Sequence, residues 1–207
     1  MRVTIVLAIS LLAMAVTFPA VADQSIFGPS GLLRTPMTDT LESGSIVGSA
    51  AWVTSEWFNV NVSMGLTDRL ELDASYLNAD DGGDETIISG TWRFWGEFED
   101  GRSFGLAAGL FDISDELNRS LFVTAEKHMM LGDTRARLVA GWGENNSLVE
   151  GLFVGTELFL GRDFSFLAEY DGDDLNAAIR WPFSDEFRAT AGLVSEKLFV
   201  GAEYQFH

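Results

Sequence analysis

Two histidines are the residues of this chain best suited to act as a base near neutral pH. His128 follows Glu126 by two residues, a spacing that puts both side chains on one face of an extended strand. Hydrolysis would also need a serine or threonine nucleophile beside the histidine. No Ser–His pair is found where a lipid hydrolase would need one, on the outer surface of the barrel predicted below. We therefore expect no enzyme and no catalytic residues, with a lipid hydrolase as a minor alternative.

Metal binding by acidic runs is the other chemistry considered. Asp171-Gly172-Asp173-Asp174 offers carboxylate oxygens, but it lacks the six-oxygen spacing of a calcium loop. The chain has no cysteine, which excludes disulfides, thiolate metal sites and cysteine nucleophiles. We expect no metal site and no cofactor.

A larger set of charges stands at alternate positions of apolar segments. In a strand, Leu70 and Leu72 point to one face while Glu71 and Asp73 point to the other. If the strands close into a barrel with the apolar face outward, the charged face lines the interior. The predicted interior residues are Glu71, Asp73, Arg93, Glu126, His128, Arg137, Glu157, Glu169, Arg180, Arg188 and Glu203.

Two functions are compatible with these interior charges. Charged walls could form a narrow water-filled pore that selects small polar solutes. Alternatively, opposite charges could pair across the interior and give a structural barrel with a closed, salt-bridged lumen. The six acids and four arginines form no basic track, which argues against a channel for acidic oligosaccharides.

Short, regular segments carry these residues from Gly44 onward. Twelve segments of about nine to eleven residues have the length of a tilted strand that crosses an apolar membrane core. We predict an all-β fold, a transmembrane antiparallel up-and-down β-barrel of twelve strands. Ten strands is the alternative count, because the first segment alternates weakly and the ninth is short. Alternation alone does not decide which face is buried, so a secreted soluble β-sandwich is also considered.

Aromatic residues near the ends of the segments favour the membrane. Two girdles of aromatic side chains at the lipid–water interfaces are typical of outer-membrane barrels, as is a final strand such as Leu198–Phe206 that ends in aromatics. We therefore predict a porin-like protein of the Gram-negative cell envelope, located in the bacterial outer membrane. The predicted girdle residues are Trp52, Trp57, Tyr76, Trp95, Trp142, Tyr170, Trp181, Tyr204 and Phe206.

The chain divides into three parts. Residues 1–22 have the basic start, apolar run and Ala-Val-Ala site of a cleaved signal peptide, residues 23–43 form an irregular periplasmic entry segment, and residues 44–207 form the barrel. The net charge of −18 makes nucleic acid an improbable partner. The expected partners are outer-membrane lipid and lipopolysaccharide, bridged by divalent cations, and the barrel-assembly machinery. The sequence leaves the oligomeric state open.

The entry segment also carries a resemblance. The run Phe27-Gly28-Pro29-Ser30-Gly31-Leu32-Leu33-Arg34-Thr35-Pro36-Met37-Thr38-Asp39-Thr40, followed by Gly44, resembles the entry motif of YjbH-like exopolysaccharide-associated outer-membrane proteins. The resemblance covers about twenty residues and implies a barrel that assists envelope-polysaccharide export. Members of that family are usually longer and often lipid-anchored, whereas this chain has no lipobox cysteine. From its residues alone, the segment is expected either to enter and narrow the barrel or to lie across its base.

Overall fold

The computed structural model describes residues 23–79, 83–96, 104–117, 119–144, 150–161 and 164–206. Twelve strands in these ranges form one closed antiparallel barrel. The strands are β1 Ile46–Val53, β2 Trp57–Thr67, β3 Leu70–Ala79, β4 Asp84–Trp95, β5 Phe104–Phe111, β6 Ser120–Leu131, β7 Thr134–Gly143, β8 Gly151–Phe159, β9 Ser165–Tyr170, β10 Leu175–Pro182, β11 Phe187–Val194 and β12 Lys197–Phe206. The twelve-strand prediction is confirmed, and both the ten-strand count and the two-sheet sandwich are wrong.

Each strand pairs with its neighbours in sequence, and β1 pairs with β12 to close the barrel. Ile46 lies opposite Phe206 at one end of this seam, and Val53 lies opposite Phe199 near the other. We call the end with Ile46 and Phe206 the terminal rim and the opposite end the distal rim. Because the barrel is closed, each of the twelve strands has a hydrogen-bonding neighbour on both sides, and none of them forms an open sheet edge.

The alternation predicted from the sequence appears as an apolar exterior. On β2, Val60 and Val62 are exposed, whereas Asn59, Asn61 and Ser63 are buried on the inside. Elsewhere on the barrel, Glu and Arg side chains are buried and large apolar side chains such as Leu, Ile and Trp are exposed, the reverse of a soluble protein. The described residues contain no helix long and apolar enough to span a membrane.

A Leu-Phe-Val pattern, found at residues 121–123, 152–154 and 198–200, explains part of the interior packing. Phe122 of β6 lies opposite Gly109 of β5, and Phe153 of β8 lies opposite Gly141 of β7. A Cβ at Gly109 would lie 2.3 Å from Cζ of Phe122, and one at Gly141 would lie 2.1 Å from Cζ of Phe153. Glycine is therefore required at both positions, because each aromatic ring covers the backbone of the next strand.

Residues 23–45 lie inside the barrel, and we call them the plug. All but four of these residues are buried. The plug folds back on itself through isolated bridges between Gln24 and Ser30 and between Gly31 and Pro36, and it leads into β1 at the terminal rim. The entry segment thus occupies the lumen rather than lying across its base. The predicted signal peptide, residues 1–22, and His207 lie outside the described residues.

Candidate functional site

The distal half of the lumen is sealed by an apolar layer. Plug residues Ile26, Phe27, Leu32, Leu33 and Met37 are buried in one hydrophobic cluster with side chains from the wall. The ring of Phe27 lies 5.1 Å from that of Trp57. The wall members include Val53, Leu77, Ile87, Phe111, Phe122, Phe153, Leu167, Val194 and Phe199. The alternation in the sequence predicted a polar inward face, so this apolar layer differs from the expectation.

Wall carboxylates hold the backbone of the plug. Oε1 of Glu71 accepts a hydrogen bond from the backbone N–H of Ser30 at 2.8 Å, and its Oε2 accepts from the Ser30 hydroxyl at 2.7 Å and from the N–H of Leu41 at 2.8 Å. Glu71 is fully buried on β3. An irregular segment has no strand partners for its N–H groups, so the carboxylates supply acceptors that would otherwise be missing.

Glu169 and Glu126 act in the same way. Glu169 on β9 accepts from the backbone N–H groups of Leu33, Arg34 and Thr35 at 3.1, 2.8 and 3.3 Å. Oε2 of Glu126 accepts from the N–H and the hydroxyl of Thr38 at 2.9 and 3.0 Å. Carboxylates on three separate strands therefore bind the plug along its length.

Arg137 is the centre of the charged half of the lumen. Its guanidinium lies 3.3 Å from Asp23 and 3.1 Å from Asp39 of the plug, and 3.0 Å from both Glu126 and Glu157 of the wall. One arginine on β7 thus joins the plug to two wall carboxylates. A buried guanidinium with several partners is costly to remove, since its carboxylates would be left without a counter-ion.

Two further arginines face the start of the plug. Nη1 of Arg180 lies 3.1 Å from Asp23 and 3.3 Å from Glu157, and Nη1 of Arg188 lies 2.8 Å from Asp23 and 3.0 Å from Glu203. Arg180 also donates to the carbonyl of a plug residue. Asp23 is therefore surrounded by guanidinium groups of three strands.

The other predicted interior residues also lie on the inner wall. Asp73 is buried between Ser63 and Ser89 of the neighbouring strands. Arg93 is half-buried, and its Nη1 lies 4.0 Å from Oδ1 of Asp39. His128 faces Glu126, with 2.6 Å between Nε2 and Oε1.

The ligand atoms of Asp39, Glu126 and His128 lie within 4.8 Å of one another, a separation that could suit a metal ion. Nε of Arg137 lies 3.0 Å from Oε1 of Glu126 and 3.4 Å from Nε2 of His128, so a guanidinium already holds the position that a cation would need. This cluster is an ion-pair network rather than a metal site.

Little space remains between the plug and the wall. A cavity of about 30 Å³ lies beside Gln24, Ser49, Asn61, Arg180 and Glu203. This volume is enough to hold water. All but four of residues 23–45 are buried, so the plug is packed closely against the wall.

Most of the predicted girdle residues lie on the outer surface. Trp52, Tyr76, Trp95, Trp142, Tyr170 and Trp181 are exposed, and Tyr204 and Phe206 are half-exposed with their rings 4.9 Å apart. Trp57 is a correction: its ring packs on Phe27 inside the distal rim. It precedes the outward-facing Phe58 by one residue, so the period-two rule points it inward.

Three charged plug residues and two buried loop carboxylates, Asp112 and Asp171, were missing from the predicted interior set. Asp23, Asp39 and Arg34 lie in the irregular segment, where no alternation identifies their direction. Nη1 of Arg34 lies 2.7 Å from Oδ2 of Asp171, which is buried.

Comparison with known proteins identifies the fold. No protein-family model and no curated protein matches the chain. A structure of KdgM porin in complex with disordered oligogalacturonate is similar over 79% of this chain and 98% of the porin, with a TM-score of 0.54 and 12% identity. KdgM porin alone is similar over the same shares, with a TM-score of 0.52 and 14% identity. The chain therefore has a fold in common with KdgM porin.

Proposed function

We propose that this protein is a bacterial outer-membrane barrel whose pore is closed by its own plug, and that small polar solutes pass only when the plug leaves or rearranges. The observation that carries this proposal is the combination of an apolar exterior with a charged interior bound to residues 23–45. A wall built from Glu, Asp, Asn and Arg can be wetted once the plug is absent. The fold shared with a porin supports the same conclusion.

The exterior supports the membrane location. Exposed apolar and aromatic side chains surround the barrel, including Trp52, Val62, Trp92 and Leu110. Hydrocarbon accepts such a surface, whereas water does not. With both ends of the barrel sequence at the terminal rim, we assign this rim to the periplasm, because an exported chain reaches the membrane from that side.

The proposal includes no catalytic step. His128, the base considered for hydrolysis, is bound to Glu126 within the network that holds the plug. Closure of the lumen by the plug is enough to explain why these charged residues are present.

Conductance in planar bilayers tests the proposal. The wild-type protein should show few or no openings at low voltage, whereas a variant that lacks residues 24–43 should give steady ohmic steps. Heat-modifiable migration on a gel must first show that the variant barrel has folded. A folded but non-conducting variant would contradict a pore. If the deletion variant does not fold, Glu71→Gln serves instead, because it weakens the plug and leaves the chain complete.

A structural barrel with a permanently closed lumen is the second candidate. The apolar layer favours it, because the plug must expose Phe27, Leu32 and Leu33 when it leaves. Voltage separates the two candidates. A pore should open with a measurable probability as the voltage increases, while a permanently closed barrel stays silent until it ruptures.

A further inference from the structure

We propose that Arg137, Arg180 and Arg188 form a binding site for a small carboxylate anion, and that Asp23 of the plug fills this site as an internal substitute for that ligand. The inference deepens the proposed function, since the site would be reached by solutes only after the plug has moved.

The geometry around Asp23 is that of a bound carboxylate. Oδ1 lies 2.8 Å from Nη1 of Arg188, and Oδ2 lies 3.1 Å from Nη1 of Arg180 and 3.3 Å from Nη1 of Arg137. Both oxygens are thus engaged, by guanidinium groups from β7, β10 and β11. Guanidinium donors suit the planar geometry of a carboxylate.

The wall itself holds these arginines in place. Nη1 of Arg137 and Nη1 of Arg180 lie 3.0 and 3.3 Å from the two oxygens of Glu157, and Nη1 of Arg188 lies 3.0 Å from Glu203. Arg137 and Arg180 are each less than one-tenth exposed. Glu157 and Glu203 are wall residues, so these ion pairs lie within the wall, and the plug adds only a hydrogen bond from the N–H of Gln24 to Oε2 of Glu203. The three donors should therefore stay aimed at the same point after Asp23 has gone.

The charge at this point is matched to one bound carboxylate. Arg137, Arg180 and Arg188 contact the wall carboxylates Glu126, Glu157 and Glu203, and all three also contact Asp23 of the plug. Loss of Asp23 therefore removes one carboxylate that the three guanidinium groups share. A single carboxylate ligand restores these contacts, whereas a polyanion would need a continuous basic track.

Chemical rescue tests the site without any need for conduction. Asp23→Ala removes the carboxylate and leaves the barrel wall unchanged. We expect its melting temperature in detergent to fall, and sodium acetate to recover at least half of the loss. Acetamide, which has the same shape without the charge, and sodium chloride at equal ionic strength should recover much less. Arg188→Gln added to Asp23→Ala should abolish the response to acetate.

Thr38→Val is the matched control. It weakens the plug by removing a hydroxyl that bonds to Glu126, and it leaves the arginines and Asp23 in place. Its melting temperature should not respond to acetate more than to chloride. Equal effects of acetate and chloride on Asp23→Ala, or an unchanged melting temperature of that variant, would overturn the proposal.

A second measurement does not depend on the folding of Asp23→Ala. In planar bilayers, acetate should reduce the chloride current of a variant that lacks residues 23–43, and Arg188→Gln should abolish this reduction. A chloride current that acetate leaves unchanged, or a reduction that persists in Arg188→Gln, would overturn the carboxylate site. Silence of this variant in the bilayer contradicts the pore alone when acetate still rescues Asp23→Ala, so the two proposals fail separately.

Discussion

Glu169→Gln is the substitution that tests most directly how the plug is held. Oε1 of Glu169 accepts hydrogen bonds from the N–H of Arg34 at 2.8 Å and from Nδ2 of Asn176 at 3.1 Å. Oε2 accepts from the N–H groups of Leu33 and Thr35 at 3.1 and 3.3 Å, and from the Thr35 hydroxyl at 2.8 Å. A glutamine has the same shape, but one of its two terminal atoms is a donor.

Either orientation of the glutamine leaves two N–H groups without an acceptor. If the NH₂ replaces Oε1, the backbone N–H of Arg34 and one of the two Nδ2–H groups of Asn176 lose their acceptor, while the other Nδ2–H keeps Oδ2 of Asp171. Asn176 cannot rotate to compensate, since its Oδ1 accepts from the N–H of Ser195 at 2.9 Å. If the NH₂ replaces Oε2, Leu33 and Thr35 lose theirs. At about 1–3 kcal/mol for each buried unsatisfied donor, the plug is destabilised by about 2–6 kcal/mol.

Hydrogen exchange of the plug amides measures this loss. A cost of about 2 kcal/mol or more should increase the exchange rate of residues 33–35 by at least about 30-fold, while the strands stay protected. Glu56→Gln is the matched control, because Glu56 pairs with Lys197 at the partly exposed distal rim, where such a pair is worth about 0–1 kcal/mol. Unchanged exchange at residues 33–35 in Glu169→Gln would refute the idea that wall carboxylates hold the plug.

Three further substitutions test the packing and the ion pairs. Gly141→Ala should lower the midpoint temperature of the heat-induced gel shift, because a new Cβ would lie 2.1 Å from Cζ of Phe153 and the strain costs about 1–3 kcal/mol. Gly83→Ala, whose new Cβ would meet open space, should leave the midpoint unchanged, and equal midpoints for the two variants would contradict the close packing. Phe27→Ala should destabilise the apolar layer by about 3–5 kcal/mol and raise the opening frequency in bilayers, whereas Phe104→Ala on the exposed surface should leave this frequency unchanged. An opening frequency of Phe27→Ala equal to that of wild type would show that the layer does not seal the lumen. Arg137→Met should destabilise the folded barrel by about 3–5 kcal/mol and lower the yield of refolded protein, because Glu126 and Glu157 lose their shared counter-ion. Lys127→Met on the exterior is the control, and equal yields for the two variants would argue against a structural role of the network.

The alternation of apolar and polar residues was sufficient to predict which charged side chains line the inner wall. Strand side chains point to opposite faces with a fixed period of two, so Glu71 and Asp73 must share a face once Leu70 and Leu72 share the other. The same rule placed the charges of later strands, including Arg180 and Glu203, on the inner wall. The period of two also points Trp57, the first residue of β2, to the interior. The prediction for Trp57 was wrong because it followed the general preference of tryptophan for the membrane interface.

The plug could not be predicted in the same way. Asp23, Arg34 and Asp39 stand in a segment rich in glycine and proline, where no period assigns a direction to a side chain. Their partners Arg188, Asp171 and Arg137 are more than 90 positions away in the chain. Contacts of this kind follow from barrel closure, which brings distant strands around one central segment.

The sequence by itself determined that the chain forms short strands and which side chains share a face, because both depend on local length and on the period of two. Only the tertiary structure decided that twelve strands close into one barrel with the apolar face outward and that the lumen is filled. Backbone N–H groups of residues 23–45 donate to carboxylates of the inner wall, and closure of the barrel is what places these groups within hydrogen-bonding distance. The charges at alternate positions therefore serve first to bind the chain's own plug.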